Sequence, residues 1–288
     1  MLILIPLSYN GDMKELNGKD IVDFIKMRQL HVSRSLRQAS HATPKLVIIR
    51  TNPDPVVDTY LKLKKSYGED LEAEVEVVEL AQKDAIATIN KLNKDKSVFG
   101  IIVQLPLADK KDTLEILAAV DPAKDVDGLT PNSKFTPPTV TAIDWLLAGH
   151  NVNLLGKKIV IVGKGRLVGA PLEKHWKTAE LDVSSVDDTV KDLGAELKTA
   201  DVIVSAVGQP GLIRSSMVKK DAILVDAGVS AGKNGLLGDV DDEVRKRSDV
   251  RITPKVGGVG PLTIAALFEN LLFSTGVSVK KSTTEQHS

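Results

Sequence analysis

Tyr60 and Lys64 stand four residues apart in a stretch of helical pattern, so their side chains share one face. An aromatic ring beside an amine makes a stacking surface with an acid/base group at its edge. Lys62 and Lys65 lie in the same stretch, and a plain solvated lysine face is the competing reading. Gln104 follows an apolar run in Val103-Gln104-Leu105-Pro106-Leu107. A polar side chain at the C-terminal end of a parallel strand sits where open α/β sheets bind ligands; a capped strand end is the alternative. Asp125 and Asp127 lie in Lys124-Asp125-Val126-Asp127-Gly128. Either carboxylate can accept N–H groups from a heterocycle, or fold back on its own loop as an Asx turn.

A second group of residues points to a nucleotide. Ile159-Val160-Ile161-Val162 runs into Gly163-Lys164-Gly165-Arg166-Leu167-Val168-Gly169, and Pro171 follows in what reads as a first helical turn. Glycines let the backbone approach a pyrophosphate, and a helix N-terminus offers amides and the positive end of its dipole. The spacing is G-x-G-x-x-x-G rather than the usual dinucleotide fingerprint, so a plain tight turn stays open on this motif alone. Asp187 and Asp188 follow the next apolar run, at the place where a carboxylate holds a ribose hydroxyl. A further run ends in Ser205-Ala206-Val207-Gly208-Gln209-Pro210-Gly211, a small-residue turn suited to the nicotinamide side of a cleft.

The elements that must position these residues alternate. Asp20 to Ala39 reads as a helix with Ile21, Phe24, Ile25 and Leu30 on one face. Leu46–Ile49, Val75–Leu80 and Gly100–Val103 read as strands. Between them, helices run from Asn52-Pro53-Asp54-Pro55 to about Tyr67, over Gln82–Asn93, and over Thr113–Val120. Continuous apolar strands separated by helices predict a parallel sheet covered on both faces. Asp121 to Pro138, rich in Asp, Pro, Gly and Asn, reads as a long functional loop. A helix from about Thr141 leads to a second series of strands at Lys158–Val162, Asp182–Val186, Val202–Ala206 and Ala222–Val225. Gly257–Gly260 reads as a glycine turn before an apolar helix, Thr263–Leu272. The fold class is α/β in two domains. The first, residues 1–143 completed by about 262–288, is an N-terminal catalytic domain to which the C-terminal helix returns. The second, 144–261, is a Rossmann-like nucleotide-binding domain.

Composition excludes several functions. Lysine plus arginine and aspartate plus glutamate both number 38, which leaves no net charge to attract nucleic acid or an anionic membrane. With no cysteine, disulfides, thiolate catalysis and Cys-bound metals are out, and a cytoplasmic location fits. The five histidines, His31, His41, His150, His175 and His287, are scattered singly, so no metal site is expected. The apolar Met1–Leu7 is too short for a membrane span and reads as a strand or arm; Lys280–Ser288 reads as a frayed tail.

Taken in order along one chain, Tyr60-x-x-x-Lys64, Val103-Gln104-Leu105-Pro106-Leu107, Lys124-Asp125-Val126-Asp127-Gly128 and Gly257-Gly258-Val259-Gly260-Pro261-Leu262-Thr263 resemble the bifunctional methylenetetrahydrofolate dehydrogenase/methenyltetrahydrofolate cyclohydrolase family. The resemblance runs from about Gly18 to Leu272. It implies NAD(P)-dependent oxidation of 5,10-methylenetetrahydrofolate and hydrolysis of the methenyl product to 10-formyltetrahydrofolate, with folate held in an interdomain cleft. By motif position, Tyr60 stacks near the pterin, Lys64 drives proton transfer, Gln104 tunes that lysine and Asp127 anchors the pterin. The resemblance extends substrate binding to Val103, Leu105, Gly257, Gly260 and Thr263. Cofactor contacts are expected at Gly163, Lys164, Gly165, Arg166, Asp187, Ser205, Gly208 and Val229. A homodimer is implied in the same way. The chain departs from the pattern at Val57, where the family often has serine; at Pro137-Pro138-Thr139-Val140-Thr141-Ala142; at Lys255-Val256; and at Asp187-Asp188, where a serine with a basic neighbour is common. Asp187 favours NAD, whereas Lys164, Arg166 and the family pattern favour NADP; both remain open. A monofunctional NAD-dependent dehydrogenase and a non-catalytic folate- or nucleotide-binding paralogue are the rival readings, and retention of Lys64 weighs against the first.

Overall fold

The computed structural model describes residues 14–40, 42–232 and 235–276. The expectations for Met1–Leu7, Lys280–Ser288, His41 and His287 fall outside the described residues. The chain divides into two compact units. Among the described residues, one joins 14–25 with Thr136–Leu267, and the other joins Lys26–Phe135 with 268–276.

Helix α1 (Lys19–Ser40) is amphipathic, with Ile21, Ile25, Val32 and Leu36 buried. Phe24, expected on that face, is 40% exposed, because it lies a quarter turn off the stripe set by Ile21 and Ile25. The unit built on Lys26–Phe135 holds strands β1 (Lys45–Arg50), β2 (Glu74–Glu79) and β3 (Gly100–Val103). They form a parallel sheet in the order β2-β1-β3, with Ile48 opposite Val77 and Ile102. Leu46–Ile49 are completely buried at its centre, as expected of a strand covered on both faces. The edge strand β2 keeps Glu74 and Glu76 outward, and Lys45 pairs with both. Parallel strands need crossovers, which α2 (Pro55–Asp70) and α3 (Ala85–Lys94) supply. The helix expected from Gln82 begins instead with a separate 3-10 turn over Gln82–Asp84. Helix α4 (Thr113–Ala118) follows β3.

In the other unit, the second stretch of chain opens with α5 (Pro138–Gly149), which starts three residues earlier than its apolar pattern suggests because Pro138 suits a first helical position. Its strands are β4 (Ile159–Val162), β5 (Val183–Val186), β6 (Val202–Ser205), β7 (Ile223–Asp226), a two-stranded hairpin β8 (Ser230–Gly232) and β9 (Gly235–Leu237), and β10 (Arg251–Ile252). Helices α6 (Gly169–Thr178), α7 (Leu193–Leu197) and α8 (Asp242–Lys246) intervene. Five strands run parallel in the order β10-β7-β6-β4-β5. Val160, Val162, Ile203, Leu224 and Ile252 pack into one core from four of them. The order reverses between β4 and β6, and the crevice outside the carboxyl ends of those two strands is where such sheets bind ligands. Helix α9 (Val259–Ser274) starts inside the expected glycine turn, so Gly260 and Pro261 belong to its first turn. Its last turns, from Phe268, belong to the three-stranded unit, where Asn270 Nδ2 donates to the Val126 carbonyl at 2.8 Å.

Candidate functional site

In the three-stranded unit, the sheet order also reverses, between β1 and β3. Gln104 extends the ladder one residue past β3, its amide donating to Ile49 O at 2.8 Å; Pro106, lacking an N–H, cannot continue it. The side chain is thereby fixed at the switch point. Its Oε1 accepts from Lys64 Nζ at 3.2 Å while its Nε2 donates to Leu105 O at 2.9 Å, which fixes which end faces the lysine. On α2, Lys62 and Lys65 are exposed, whereas Lys64 is half-buried and its ammonium turns toward Gln104. Burial pulls the Lys64 pKa below the ordinary lysine value, and the negative charge of Asp127 opposes that shift. Asp127 responds in kind. Burial raises its pKa, Lys64 draws it back down, and Asp125 pushes it up again. Tyr60, one turn before Lys64, is half-buried, and burial raises its phenol pKa, so the ring keeps its hydroxyl proton near neutral pH.

The two aspartates separate by role. Asp125 is buried and its Oδ2 accepts the Thr130 amide at 2.8 Å, closing the loop on itself. Ile101 N to Lys124 O at 2.8 Å and Asn270 Nδ2 to Val126 O hold the same loop against β3 and α9. Asp127 is left coupled to Lys64. Val103 is fully buried, so its side chain faces the core; Leu105 is half-buried. The arrangement is an amine of lowered pKa, oriented by an amide and electrostatically coupled to a carboxylate. A lowered pKa makes the free amine more accessible, which suits a proton-transfer role.

In the five-stranded unit, Gly163 leaves β4 with φ of +101°. A Cβ there would lie 3.0 Å from Ala206 O and 3.2 Å from Val207 Cγ2, so the turn after β4 lies flat against the turn after β6. At Gly169, the start of α6, a Cβ would stand 1.8 Å from Gly163 O. The backbone can close this turn only on glycine, whereas Gly165 faces open space. A glycine-lined turn leading into a helix N-terminus fits a dinucleotide pyrophosphate. Asp187, just past β5, accepts from Thr189 N at 3.1 Å and Thr189 Oγ1 at 2.6 Å, and pairs with Lys164 at 3.1 Å. Those partners, Thr189 first, hold its pKa down to about 2. Arg166 and Asp188 are exposed. Ser205 is completely buried and its hydroxyl donates to Asp239 Oδ2 at 2.7 Å. Gly208 (φ +78°) and the exposed Val229 adjoin, since a Cβ on Gly208 would lie 3.3 Å from Val229 O.

Gly257, Gly260 and Thr263 lie in this same unit. Gly257 (φ +95°) accepts the Gly18 amide at 2.7 Å, and Thr263 Oγ1 bonds back to Val259 O at 3.2 Å. Sequence reading missed Asp239, Asp226 and Asn270. Asp226-Ala227-Gly228 and Gly238-Asp239 are the available signals, each an aspartate within two residues of a glycine at a strand end. Among the described residues, no group of three His, Asp or Glu side chains is placed to hold a metal ion.

A parallel sheet that opens a glycine-lined crevice at its switch point defines a dinucleotide-binding α/β protein. The comparisons narrow this class. Residues 16–127 match the family model described as the tetrahydrofolate dehydrogenase/cyclohydrolase catalytic domain, and 137–278 match that family's NAD(P)-binding domain. The bifunctional protein FolD of Staphylococcus epidermidis is 36% identical over 275 residues, covering 91% of this chain and 96% of the relative. The crystal structure of the bifunctional FolD methylenetetrahydrofolate dehydrogenase/cyclohydrolase from Campylobacter jejuni is 36% identical, with a TM-score of 0.84 over 91% of this chain and 98% of that one. The Trypanosoma brucei methylenetetrahydrofolate dehydrogenase-cyclohydrolase, solved with NADP cofactor and inhibitor, is 28% identical with a TM-score of 0.84, covering 91% and 97%. The chain belongs to the tetrahydrofolate dehydrogenase/cyclohydrolase family.

Proposed function

We propose that this protein is a bifunctional enzyme of one-carbon metabolism that oxidises 5,10-methylenetetrahydrofolate with NAD(P) and hydrolyses the 5,10-methenyl product to 10-formyltetrahydrofolate. The observation that carries the reading is Lys64, half-buried, hydrogen-bonded to Gln104 and coupled to Asp127. A dehydrogenase alone has no use for an amine of lowered pKa, because hydride removal needs positioning rather than a base. A bound dinucleotide would supply the hydride acceptor. The turn from Gly163 to Gly169 would offer backbone amides to its phosphates, Gly208 and Val229 would line its neighbourhood, and Asp187 would accept from its adenosine ribose.

For hydrolysis, Lys64 as free amine takes a proton from the water that attacks the methenyl carbon. The carbon–N5 bond then breaks and N5 receives a proton, so one of the water's two protons ends on N5 and the other is released. Gln104 keeps the amine aimed. Asp127 accepts N–H groups of the pterin edge and Tyr60 stacks beside it; Val103, through its backbone, and Leu105 complete the folate contacts of this unit. On cofactor choice, Asp187 is ionised and already holds Lys164, so NAD is used at least as well as NADP. We read the working form as a cytoplasmic homodimer; no described helix is long and apolar enough to cross a membrane.

The test is a paired assay of the purified protein with NAD and with NADP on methylenetetrahydrofolate, following reduced nucleotide and the methenyl chromophore together. Nucleotide reduction with rapid loss of the chromophore supports both activities. Persistent chromophore reduces the reading to a dehydrogenase, and no reduction with either cofactor rejects it.

A further inference from the structure

Asp239 is completely buried, yet its carboxylate is spent entirely on one turn. Oδ2 accepts from Ser205 Oγ at 2.7 Å and from Val207 N at 2.8 Å, and Oδ1 accepts from Gln209 N at 2.7 Å. All three donors belong to the five residues that leave β6, 30 to 34 positions away in sequence. Among the described residues no cation pairs with this carboxylate. It is held in place from behind. Its own amide donates to Asp226 Oδ1 at 3.0 Å, its carbonyl accepts from Ile213 N at 3.1 Å, and Asp226 is anchored by Arg245 at 2.5 Å. The space is reserved for it, because a Cβ on Gly228 would fall 2.1 Å from the Asp239 carboxyl carbon. The turn it templates is the one that Gly163 faces across the switch-point crevice, with Ala206 O at 3.0 Å from a Gly163 Cβ.

We propose that Asp239 is a positioning residue for dinucleotide binding: it fixes the turn Ser205–Gln209 as one wall of the crevice, so that Ser205 acts through Asp239 and not by touching the cofactor. The inference rests on the function proposed above. A carboxylate suits the task because both of its oxygens accept, here from two amides and a hydroxyl at once, whereas an asparagine presents one donor end to groups that are themselves donors.

The test is the Asp239→Asn variant beside the parent, with NAD and NADP binding measured by calorimetry and both enzymatic steps measured by absorbance. Asp239→Asn should weaken binding of both dinucleotides, and raise their KM, tenfold or more. The KM for the folate substrate and the hydrolysis of methenyltetrahydrofolate should stay within about twofold of the parent. A general loss of structure would instead lower both activities together without a selective rise in dinucleotide KM. If Asp239→Asn does not fold, Ser205→Ala decides, since it removes one of the three bonds and no backbone partner. It should raise dinucleotide KM severalfold with hydrolysis retained. Parental dinucleotide affinity in the folded variant overturns the inference alone. A parent protein that binds neither dinucleotide overturns the proposed function and this inference with it.

Discussion

Replacing Gln104 by leucine and by glutamate should move the pH profile of hydrolysis in opposite directions. Gln104 Oε1 accepts from Lys64 Nζ at 3.2 Å, and this bond favours the protonated amine against the burial that disfavours it. A hydrogen bond to a charged group contributes about 1.5–3 kcal/mol. At 3.2 Å, the long end of the range, the lower figure applies. Since one pKa unit is about 1.4 kcal/mol, Gln104→Leu should lower the Lys64 pKa by about one unit. Gln104→Glu puts a charge at the same place. At 3.2 Å and an effective dielectric of about 20, the attraction is about 5 kcal/mol. Screening at a half-buried site cuts that to about 2–3 kcal/mol, or roughly two units upward. In the proposed mechanism the free amine is the working base, so hydrolysis should rise with pH through the Lys64 pKa. The rise should shift to lower pH in Gln104→Leu and to higher pH in Gln104→Glu, which should be roughly tenfold to a hundredfold slower at neutral pH. The assay is loss of the methenyl chromophore across pH, read as the midpoint of the rise, which is independent of any change in maximal rate. If both variants shift the same way, or the Glu variant keeps the parental midpoint, the amide does not control the lysine.

Three further outcomes are expected. Asp127→Ala removes the proposed acceptor for the pterin edge, and leaving such donors unpaired costs about 1–3 kcal/mol, so folate KM should rise about tenfold or more, which titration of substrate dependence checks. Asp187→Ser removes a charge that repels a 2′-phosphate by about 1–4 kcal/mol and frees Lys164, so the ratio of kcat/KM for NADP over NAD should rise about tenfold; an unchanged ratio means that Asp187 does not read the ribose. His175 Nε2 lies 2.8 Å from Asp144 Oδ2, and that bond raises the His175 pKa above its ordinary 6.5. Its stabilisation is therefore fully present below about pH 6.5 and fades as pH rises through the raised value. With His175 largely exposed, Asp144→Asn should lower Tm by only about 1–3 °C at pH 6, with the difference gone in alkaline buffer, as calorimetry at several pH values would register.

The alternation of apolar runs made both parallel sheets legible, because strands buried on two faces leave no polar residue to blur them, as at Leu46–Ile49 and Ile159–Val162. Elements held by few residues gave no such signal: β10 has two residues, β8 and β9 three each, and α7 and α8 five each. The start of α9 was misplaced because Gly257 to Gly260 reads as a turn, yet only Gly257 needs positive φ while Gly260 and Pro261 fit a first helical turn. Lys62, Lys64 and Lys65 are equivalent in type, and only packing shows that Lys64 alone turns inward. Residue type and spacing alone do not separate Asp125 from Asp127; the family resemblance points to Asp127, and the Thr130 amide accounts for Asp125. Ser205 looked like a cleft-lining residue because its partner, Asp239, lies 34 positions on, and no local pattern connects them.

The central claim is that one chain carries two activities on separate residues, with Lys64 needed for hydrolysis and the glycine turn of the other unit for nucleotide. Lys64→Met tests it most directly, by measuring methenyltetrahydrofolate hydrolysis and dinucleotide affinity on the same preparation. The expected result is hydrolysis reduced by about a hundredfold or more, the range of acid/base contributions, with NAD and NADP bound as in the parent. Hydrolysis at the parental rate in Lys64→Met would contradict the account.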